Sequence, residues 1–139
     1  MFTKAVEKGL LEGKAQVAVH SLKDLPTEID PALRLSAIPD LEDREDVVII
    51  SDENVAKGIK TLADLPAGSL VGTSSLRRLS MLKFNYPGLK VMDCRGNLNT
   101  RLKKLNEGMQ TAEGENIKFD AIMLARAGVQ RLGWADKIT

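Results

Sequence analysis

Four clusters of hydroxyl, glycine and cationic residues each follow a short apolar run. In chain order, AVH leads into SLKD, SLVG into TSSLRR, KVMDC into RGNLNTR, and AIML into ARAG. In open α/β sheets, ligands bind beyond the carboxyl ends of the strands, where loops and helix N-termini converge. If the four apolar runs are strands, we expect the four clusters to face one edge of a sheet.

The second cluster combines helix-capping residues with two adjacent arginines. Thr73, Ser74 and Ser75 are good N-cap residues. They place Arg77 and Arg78 in the first turn, where the helix dipole disfavours each cation by ~0.3 to 1 kcal/mol. A bound anion would offset this, since a charge-assisted hydrogen bond contributes ~1.5 to 3 kcal/mol. The cluster therefore indicates an anion site, with two solvent-facing arginines as the alternative.

The third cluster repeats this arrangement one strand and helix later. Arg95 follows a predicted strand, Gly96 permits close backbone approach, and Arg101 lies in the first turn of a helix that Asn97 would cap. A second arginine pair at the same edge strengthens the prediction of an anion site. Guanidinium groups suit carboxylates and phosphates alike, so the residue pattern leaves the anion open.

The first cluster adds a carboxylate. Lys23 and Asp24 follow the first apolar run closely, so the cation would contact a ligand anion and the acid a ligand N–H or cation. A surface ion pair, or an aspartate that caps a turn, is the alternative. His20 and Cys94 are interpreted as packing residues, and one histidine with one cysteine provides too few ligands for structural zinc.

Composition limits the class of protein. The 139 residues are 43% hydrophobic and 28% charged, which is typical of a globular chain, and no apolar run reaches membrane-spanning length. We therefore expect a cytoplasmic protein. Residues 1–68 carry 8 basic and 13 acidic side chains and residues 69–139 carry 12 and 6, so the second half is expected to attract anions. With only 4% aromatic residues and no nucleic-acid-binding motif, we expect neither a nucleic-acid nor a membrane partner.

The elements that must position these clusters follow from periodicity. In the first part, a helix is predicted over residues 2–12, strands over 15–19 and 33–38, and an acidic hinge over 39–46. From residue 47 onward strands alternate with helices, which indicates a mainly parallel α/β sheet. The predicted strands are 47–50, 69–72, 89–93 and 119–124, and the predicted helices are 75–84, 98–107 and a short one ending near Gly133.

Taken together, the strings AVHSLKDLPT, VGTSSLRR, RGNLNTRLKKL and DAIMLARAGVQRLGW resemble the porphobilinogen deaminase, or hydroxymethylbilane synthase, family. The resemblance implies α/β domains of the periplasmic-binding-protein-like (type II) kind, with mainly parallel sheets. Two partial lobes would be joined by a hinge. Residues 1–45 would be a partial domain 1 that lacks its N-terminal strand and return segment, and residues 46–139 would be domain 2.

The resemblance also implies an activity. The family condenses four porphobilinogen molecules stepwise, with loss of ammonia, into hydroxymethylbilane for haem and other tetrapyrroles. Each pyrrole carries an acetate and a propionate, so the growing chain is a polyanion. The family's covalent dipyrromethane cofactor is attached to a cysteine in a Gly-Gly-Cys setting that is absent here. We therefore expect an incomplete, inactive portion of an otherwise monomeric enzyme; the alternative is a non-catalytic anion-binding module of periplasmic-binding-protein type.

Residue roles are also implied by the resemblance. Asp24 would be the catalytic aspartate, stabilising the positive charge that develops on the substrate when ammonia leaves. Arg126 stands where the family pattern has a small or apolar residue. The residues expected to bind substrate or cofactor are Ser21, Lys23, Thr73, Ser74, Ser75, Arg77, Arg78, Arg95, Gly96, Arg101, Ala127, Gly128 and Arg131.

Overall fold

The computed structural model describes the backbone of residues 2–111 and 113–139, with the side chains of these ranges except Phe2, Thr3 and Lys23. The chain divides into two compact units, Met1–Asp40 and Leu41–Thr139. Each unit is described by itself.

The first unit contains one α-helix, α1 (Phe2–Leu11), as the sequence predicts. Gly13 follows it with a φ of +69°, a conformation that glycine adopts without strain, and its N–H donates to the carbonyl of Leu10 at 3.0 Å. A single 3-10 turn, Leu22–Asp24, comes later.

The strands predicted over residues 15–19 and 33–38 are not formed in the described part of the first unit, so this expectation is wrong. An extended run becomes a strand only when a neighbour satisfies its backbone N–H and C=O groups, and these two runs do not pair with each other. Val17 and Val19 are 78% and 93% exposed. The apolar residues of 15–19 therefore indicate β propensity, but this run has no partner strand among the described residues and forms no strand.

The second unit is built on a four-stranded sheet, which confirms a mixed α/β fold with a mostly parallel sheet. The strand order is β1-β6-β2-β3. β6 and β3 both run parallel to β2, whereas β1 runs antiparallel to β6, with Asp46 opposite Ala125. The antiparallel direction of β1 was not predicted. The strands are β1 (Asp46–Ile50), β2 (Leu70–Gly72), β3 (Lys90–Met92) and β6 (Ala121–Ala125).

Helices flank this sheet, and a small hairpin lies beside it. The two long helices begin at side-chain caps, Ser75 for α3 and Asn97 for α4. α2 and the hairpin of β4 with β5 occupy segments that the sequence pattern predicts to be loops. The remaining elements are α2 (Asp52–Ala56), α3 (Leu76–Asn85), α4 (Leu98–Glu107), β4 (Met109–Gln110), β5 (Asn116–Ile117) and α5 (Arg126–Arg131).

The core lies on both faces of the sheet. On one face, Ile122 and Leu124 of β6 pack in a cluster with Leu105 of α4 and Val129 of α5. On the other, Met123 of β6 belongs to a cluster that includes residues of β1, β2 and α3. β6 is therefore the central element, with side chains buried on both faces of the sheet. Within the described residues, no helix is both long and apolar enough to cross a membrane.

Candidate functional site

Three of the four predicted clusters come together at one edge of the sheet. Because β2, β3 and β6 are parallel, their carboxyl ends share an edge, and the segments 73–78, 93–101 and 126–131 leave from it. The remaining cluster, the first in chain order, lies in the first unit and follows no strand in the described residues, so the expectation that all four extend from one sheet is wrong for that cluster. We call the shared edge of β2, β3 and β6 the arginine edge.

The turn after β2 is fixed by its own hydroxyl groups. Thr73 is 3% exposed, and its hydroxyl oxygen accepts a hydrogen bond from the N–H of Ser75 at 3.2 Å. The Ser75 hydroxyl in turn accepts from the N–H of Arg78 at 3.4 Å and caps α3. Thr73 and Ser75 therefore position the start of the helix that carries the two arginines, while Ser74 remains exposed.

Arg77 and Arg78 share one carboxylate, that of Asp46. Arg77 donates from Nη1 to Oδ2 at 2.6 Å and from Nη2 to Oδ1 at 3.1 Å. Arg78 donates from Nε to Oδ1 at 2.9 Å and from Nη1 to the carbonyl of Met123 at 3.1 Å. The side chain of Arg78 is 13% exposed and that of Arg77 is 61% exposed. Arg78 is thus enclosed and fixed by protein contacts, whereas Arg77 is bound to Asp46 but faces solvent.

The charge state of Asp46 follows from these partners. Burial by itself would raise the pKa of the carboxyl, but the hydrogen bonds and positive charges of Arg77 and Arg78 outweigh burial. The pKa of Asp46 is therefore lowered, and the carboxylate stays ionised at neutral pH.

The turn after β3 presents two further arginines. Gly96 has a φ of +123°, and a Cβ on it would lie 2.8 Å from Cγ2 of Thr100. Asn97 caps α4 by accepting from the N–H of Thr100 at 2.9 Å. Arg101 donates from Nε to the carbonyl of Gly96 at 2.8 Å and has no ion-pair partner among the residues described. The glycine thus allows the tight turn that places Arg101 next to the strand end.

Arg95 pairs with another carboxylate, that of Asp93. Arg95 pairs with Asp93, with 2.6 Å between Nε and Oδ2, and its side chain is 84% exposed. Hydrogen bonding from the Ser74 hydroxyl, and then from Arg95, holds the pKa of Asp93 below its ordinary value against the effect of desolvation.

The third segment of the edge is the start of α5, directly after β6. A Cβ on Gly128 would lie 2.7 Å from Cδ1 of Leu98, so Gly128 lets α5 pack close to α4, and Ala127 before it is half-buried. Arg131 is 68% exposed and lies 3.5 Å from a carboxylate oxygen of Glu42. Arg126 pairs with Asp43 at 3.3 Å and with Glu45 at 2.7 Å. Arg126 is therefore an anchor for the chain that leads into β1.

These contacts identify residues that the sequence analysis missed. Residues 42–46, interpreted as part of a hinge, supply Glu42, Asp43, Glu45 and Asp46 to the arginine edge. They arrive there because β1 is antiparallel to its neighbour, which puts its first residue at the carboxyl end of β6. In the sequence, the sign of these residues is a run of acids before an apolar strand. Their contact with the arginines could not be predicted, because it depends on the direction of that strand.

The first cluster lies in the other unit. Ser21 and Asp24 are exposed, and the carbonyl of Ser21 accepts from the N–H of Asp24 at 2.9 Å across the 3-10 turn. The side chain of Lys23 lies outside the part of the chain that the structure describes. The predicted roles of these three residues stay predictions.

The arginine edge is suited to carboxylates, whereas the one cysteine of the chain is not suited to covalent attachment of a ligand. Cys94, the only cysteine, is 0% exposed, and burial raises the pKa of its thiol despite the positive charges of Lys104 and Arg101. A protonated, enclosed thiol does not form a thioether with a bulky pyrrole. The exposed guanidinium groups of Arg77, Arg95 and Arg101 are suited to carboxylates.

Comparison with known proteins identifies what the chain resembles. Residues 1–139 match the family described as porphobilinogen deaminase, dipyromethane cofactor binding domain. The chain is 51% identical over 140 residues to porphobilinogen deaminase of Gloeobacter violaceus, covering 100% of this chain and 39% of the relative. It is 46% identical over 138 residues to the enzymes of Synechococcus sp. (strain CC9311) and Methylobacillus flagellatus, covering 99% of this chain and 40% of each. The chain thus spans about two fifths of the length of these relatives.

Proposed function

This chain belongs to the porphobilinogen deaminase family, and from that premise we propose that its arginine edge binds the carboxylates of porphobilinogen and of the growing polypyrrole during hydroxymethylbilane synthesis. The single observation that carries the proposal is the gathering of arginines from three separate segments at the carboxyl ends of parallel strands. A ligand with an acetate and a propionate on each ring needs such a row of cations.

The exposed ion pairs at this edge are suited to exchange with a ligand. Arg95 with Asp93 and Arg131 with Glu42 are pairs in which both partners are largely solvated. Such pairs contribute only ~0 to 1 kcal/mol, so a ligand carboxylate can replace the protein carboxylate at little cost. Arg101 needs no exchange, because it has no carboxylate partner in the described part of the chain. These three arginines and the exposed Arg77 are the proposed ligand contacts.

Asp24 is the proposed catalytic residue. Loss of ammonia from porphobilinogen leaves a cation delocalised over the pyrrole, and an ionised carboxylate beside the pyrrole N–H stabilises that charge as it develops. The exposure of Asp24 leaves its carboxylate free to meet a ligand. Its place in the string HSLKDLP, within a match that covers the whole chain, supports the assignment.

The dipyrromethane cofactor, when bound, provides the primer to which pyrrole units are added. Ser21 and Lys23 are proposed to hold it from the first unit. Thr73, Ser74, Ser75 and Gly96 would provide hydroxyl and backbone contacts, as would Ala127 and Gly128. Because Cys94 is enclosed, attachment through a thioether requires a cysteine outside these 139 residues.

We also propose the finer architecture. We propose two lobes of the periplasmic-binding-protein-like (type II) kind, with residues 1–45 in domain 1 and residues 46–139 in domain 2. The compact units meet a few residues earlier, between Asp40 and Leu41, because residues 42–45 pair with arginines of the second unit. The order of the strings along the chain and the mixed sheet of the second unit support this interpretation.

Binding is tested directly by titrating the whole chain with porphobilinogen in a calorimeter. We expect Arg101→Gln to weaken binding by about tenfold or more, because it removes a charge-assisted contact. Lys103→Gln is the matched control, since Lys103 is on the same helix and pairs with Glu107. Equal losses in the two variants would mean that only net charge matters. Equal affinity for a simple dicarboxylate such as succinate would instead favour a general anion-binding module.

Catalysis is tested in a complete enzyme. A chimera is made by replacing the matching segment of the Gloeobacter violaceus enzyme with this chain, and porphobilinogen consumption is measured. We expect turnover in the chimera and a loss of roughly 100-fold or more with Asp24→Asn, which keeps the size and removes the charge. Asp30→Asn, in the same unit, is the control and should leave turnover unchanged. A folded Asp24→Asn chimera with normal rates would contradict the assignment.

A further inference from the structure

We propose that Asp46 is a positioning residue: it fixes Arg78 within the arginine edge and orients Arg77 so that one face of its guanidinium is free for a ligand carboxylate. The inference rests on the proposed function, because it assigns a role within the same site. Residues 39–46 were predicted only to form a hinge, so this role for Asp46 comes from the structure.

Asp46 accepts hydrogen bonds from different atoms of the two guanidinium groups. Arg77 meets the carboxylate through both Nη atoms, at 2.6 and 3.1 Å. Nη1 of Arg77 also donates to the sulfur of Met81 at 3.4 Å. The remaining face of this guanidinium, formed by Nε and Nη2, has no further hydrogen-bond partner among the described residues. That face presents two parallel N–H donors, the fork that binds a carboxylate bidentately.

Arg78 is fully engaged. Nε donates to Oδ1 of Asp46 at 2.9 Å, Nη2 lies 2.9 Å from the same oxygen, and Nη1 donates to the carbonyl of Met123 at 3.1 Å. Every nitrogen of this guanidinium thus has a protein partner. Since only 13% of the side chain is exposed, Arg78 cannot turn outward without leaving the carboxylate of Asp46 unpaired in a largely buried position.

The backbone fixes Asp46 in turn. Asp46 is the first residue of β1 and lies opposite Ala125 in the antiparallel ladder, next to the start of α5. Its side chain is 12% exposed. A carboxylate held by a strand and bonded to two arginines acts as a rigid template, whereas a carboxylate on a mobile loop would act as a competitor for the ligand.

These two roles predict opposite results. If Asp46 positions the arginines, Asp46→Asn weakens binding of porphobilinogen although it makes the site more positive. We expect the dissociation constant for porphobilinogen to rise about tenfold or more. Arg77 would lose its orientation, and the loss of one charge-assisted hydrogen bond to the ligand lowers affinity by about this factor. If Asp46 merely competes with the ligand, the same variant binds more tightly.

The experiment uses calorimetric titration of the whole chain with porphobilinogen, together with NMR of the arginine Nε–H groups without ligand. In the wild type, the Nε–H of Arg78 should exchange slowly with water. In Asp46→Asn that protection should fall, and in Asp46→Glu, which keeps the charge, part of the protection and part of the affinity should return. Asp120→Asn is the matched control. It removes a carboxylate that bonds Asn54 and the N–H of Leu70, so it should lower stability and leave binding unchanged.

Each outcome decides between the claims. Tighter binding by folded Asp46→Asn, or a slowly exchanging Arg78 Nε–H in that variant, would overturn the positioning role while the proposed function stands. Failure of the folded wild type to bind porphobilinogen would overturn the proposed function and the ligand-facing role of Arg77 with it. If Asp46→Asn does not fold, Asp46→Glu answers the same question. If Asp46 positions the arginines, the longer side chain lowers both the Arg78 protection and the affinity relative to the wild type. If Asp46 merely competes with the ligand, Asp46→Glu lowers neither.

Discussion

Carboxylates at the arginine edge differ in how strongly they hold their partners. Asp46 is 12% exposed and bonds two arginines, whereas Asp93 and Glu42 are 48% and 63% exposed and each pair with one. Coulombic attraction is screened in water and stronger where water is excluded. Asp46 is therefore a structural part of the edge, and the other two are surface counter-charges that the proposed ligand would replace.

This difference predicts a pH dependence of stability. The folded state lowers the pKa of Asp46 below the ordinary 3.8, so protonation favours the unfolded chain. Its contribution to the free energy of unfolding is fully present above the unfolded pKa and is lost as pH falls through the folded pKa. Urea unfolding of the wild type and Asp46→Asn from pH 6 to pH 2.5 should show a stability difference that shrinks below about pH 4. A difference that stays constant over this range would contradict the prediction.

The types of the site residues could be predicted from the sequence, but their partners could not. Arginines after strand ends, the caps at Ser75 and Asn97, and the packing role of Cys94 follow from local patterns. That Arg78 is enclosed and Arg77 exposed does not, because the two are adjacent in one helical turn. Both bond Asp46, some thirty residues earlier in the chain, but only Arg78 also donates to the carbonyl of Met123 on β6, and neither partner is evident from the local sequence.

At the scale of elements, the arginine edge depends on two helices that begin at the strand ends. The caps differ in quality. Asn97 accepts from the N–H and the hydroxyl of Thr100, both at 2.9 Å, whereas Ser75 accepts from the N–H of Arg78 at 3.4 Å. A hydrogen bond at 3.4 Å is long for an N–H donor. The start of α4 is therefore more dependent on its cap than the start of α3.

We accordingly expect Asn97→Ala to lower the free energy of unfolding by about 1 kcal/mol, and Ser75→Ala to lower it by less. Thermal or urea unfolding of the two variants, followed by circular dichroism, measures the difference. Asn97→Asp, which keeps an accepting oxygen, serves as the control and should retain most of the stability. The account of the caps would be wrong if Ser75→Ala proved the more costly change.

The elements of the second unit were predicted well where their signals are local. β1, β2, β3 and β6 follow apolar runs, and α3 and α4 follow caps and helical periodicity. The failures have a common cause. Residues 15–19 and 33–38 have the composition of strands, but strand formation depends on a partner, and the direction of β1 depends on its neighbour β6. Neither partner nor direction is contained in the residues of the run itself.

At the scale of the whole molecule, burial is unequally divided. Every fully buried apolar residue in the described structure lies between Val47 and Val129. Backbone hydrogen bonds of regular structure in the first unit are confined to α1 and one turn. Since local stability follows buried apolar contact and hydrogen bonding, the two units should differ in their resistance to opening.

Hydrogen exchange followed by mass spectrometry tests this. Amides of residues 69–133 should be protected well beyond those of residues 1–40, with β6 the slowest because it is paired on both sides and buried. A synthetic peptide covering residues 15–40 provides the reference for unprotected exchange. Uniform protection along the chain would contradict this division.

The reversed direction of β1 has a consequence for how this protein can tolerate sequence change. Surface loops usually accept insertions and deletions, but a strand does not, because its register decides which face each side chain lies on. Here, removing or adding one residue within Asp46–Ile50 would shift the alternation of inward and outward side chains and carry the shared carboxylate away from both guanidinium groups. A change of length within β1 is therefore expected to dismantle the arrangement of Arg77 and Arg78, although the strand lies at the edge of the sheet.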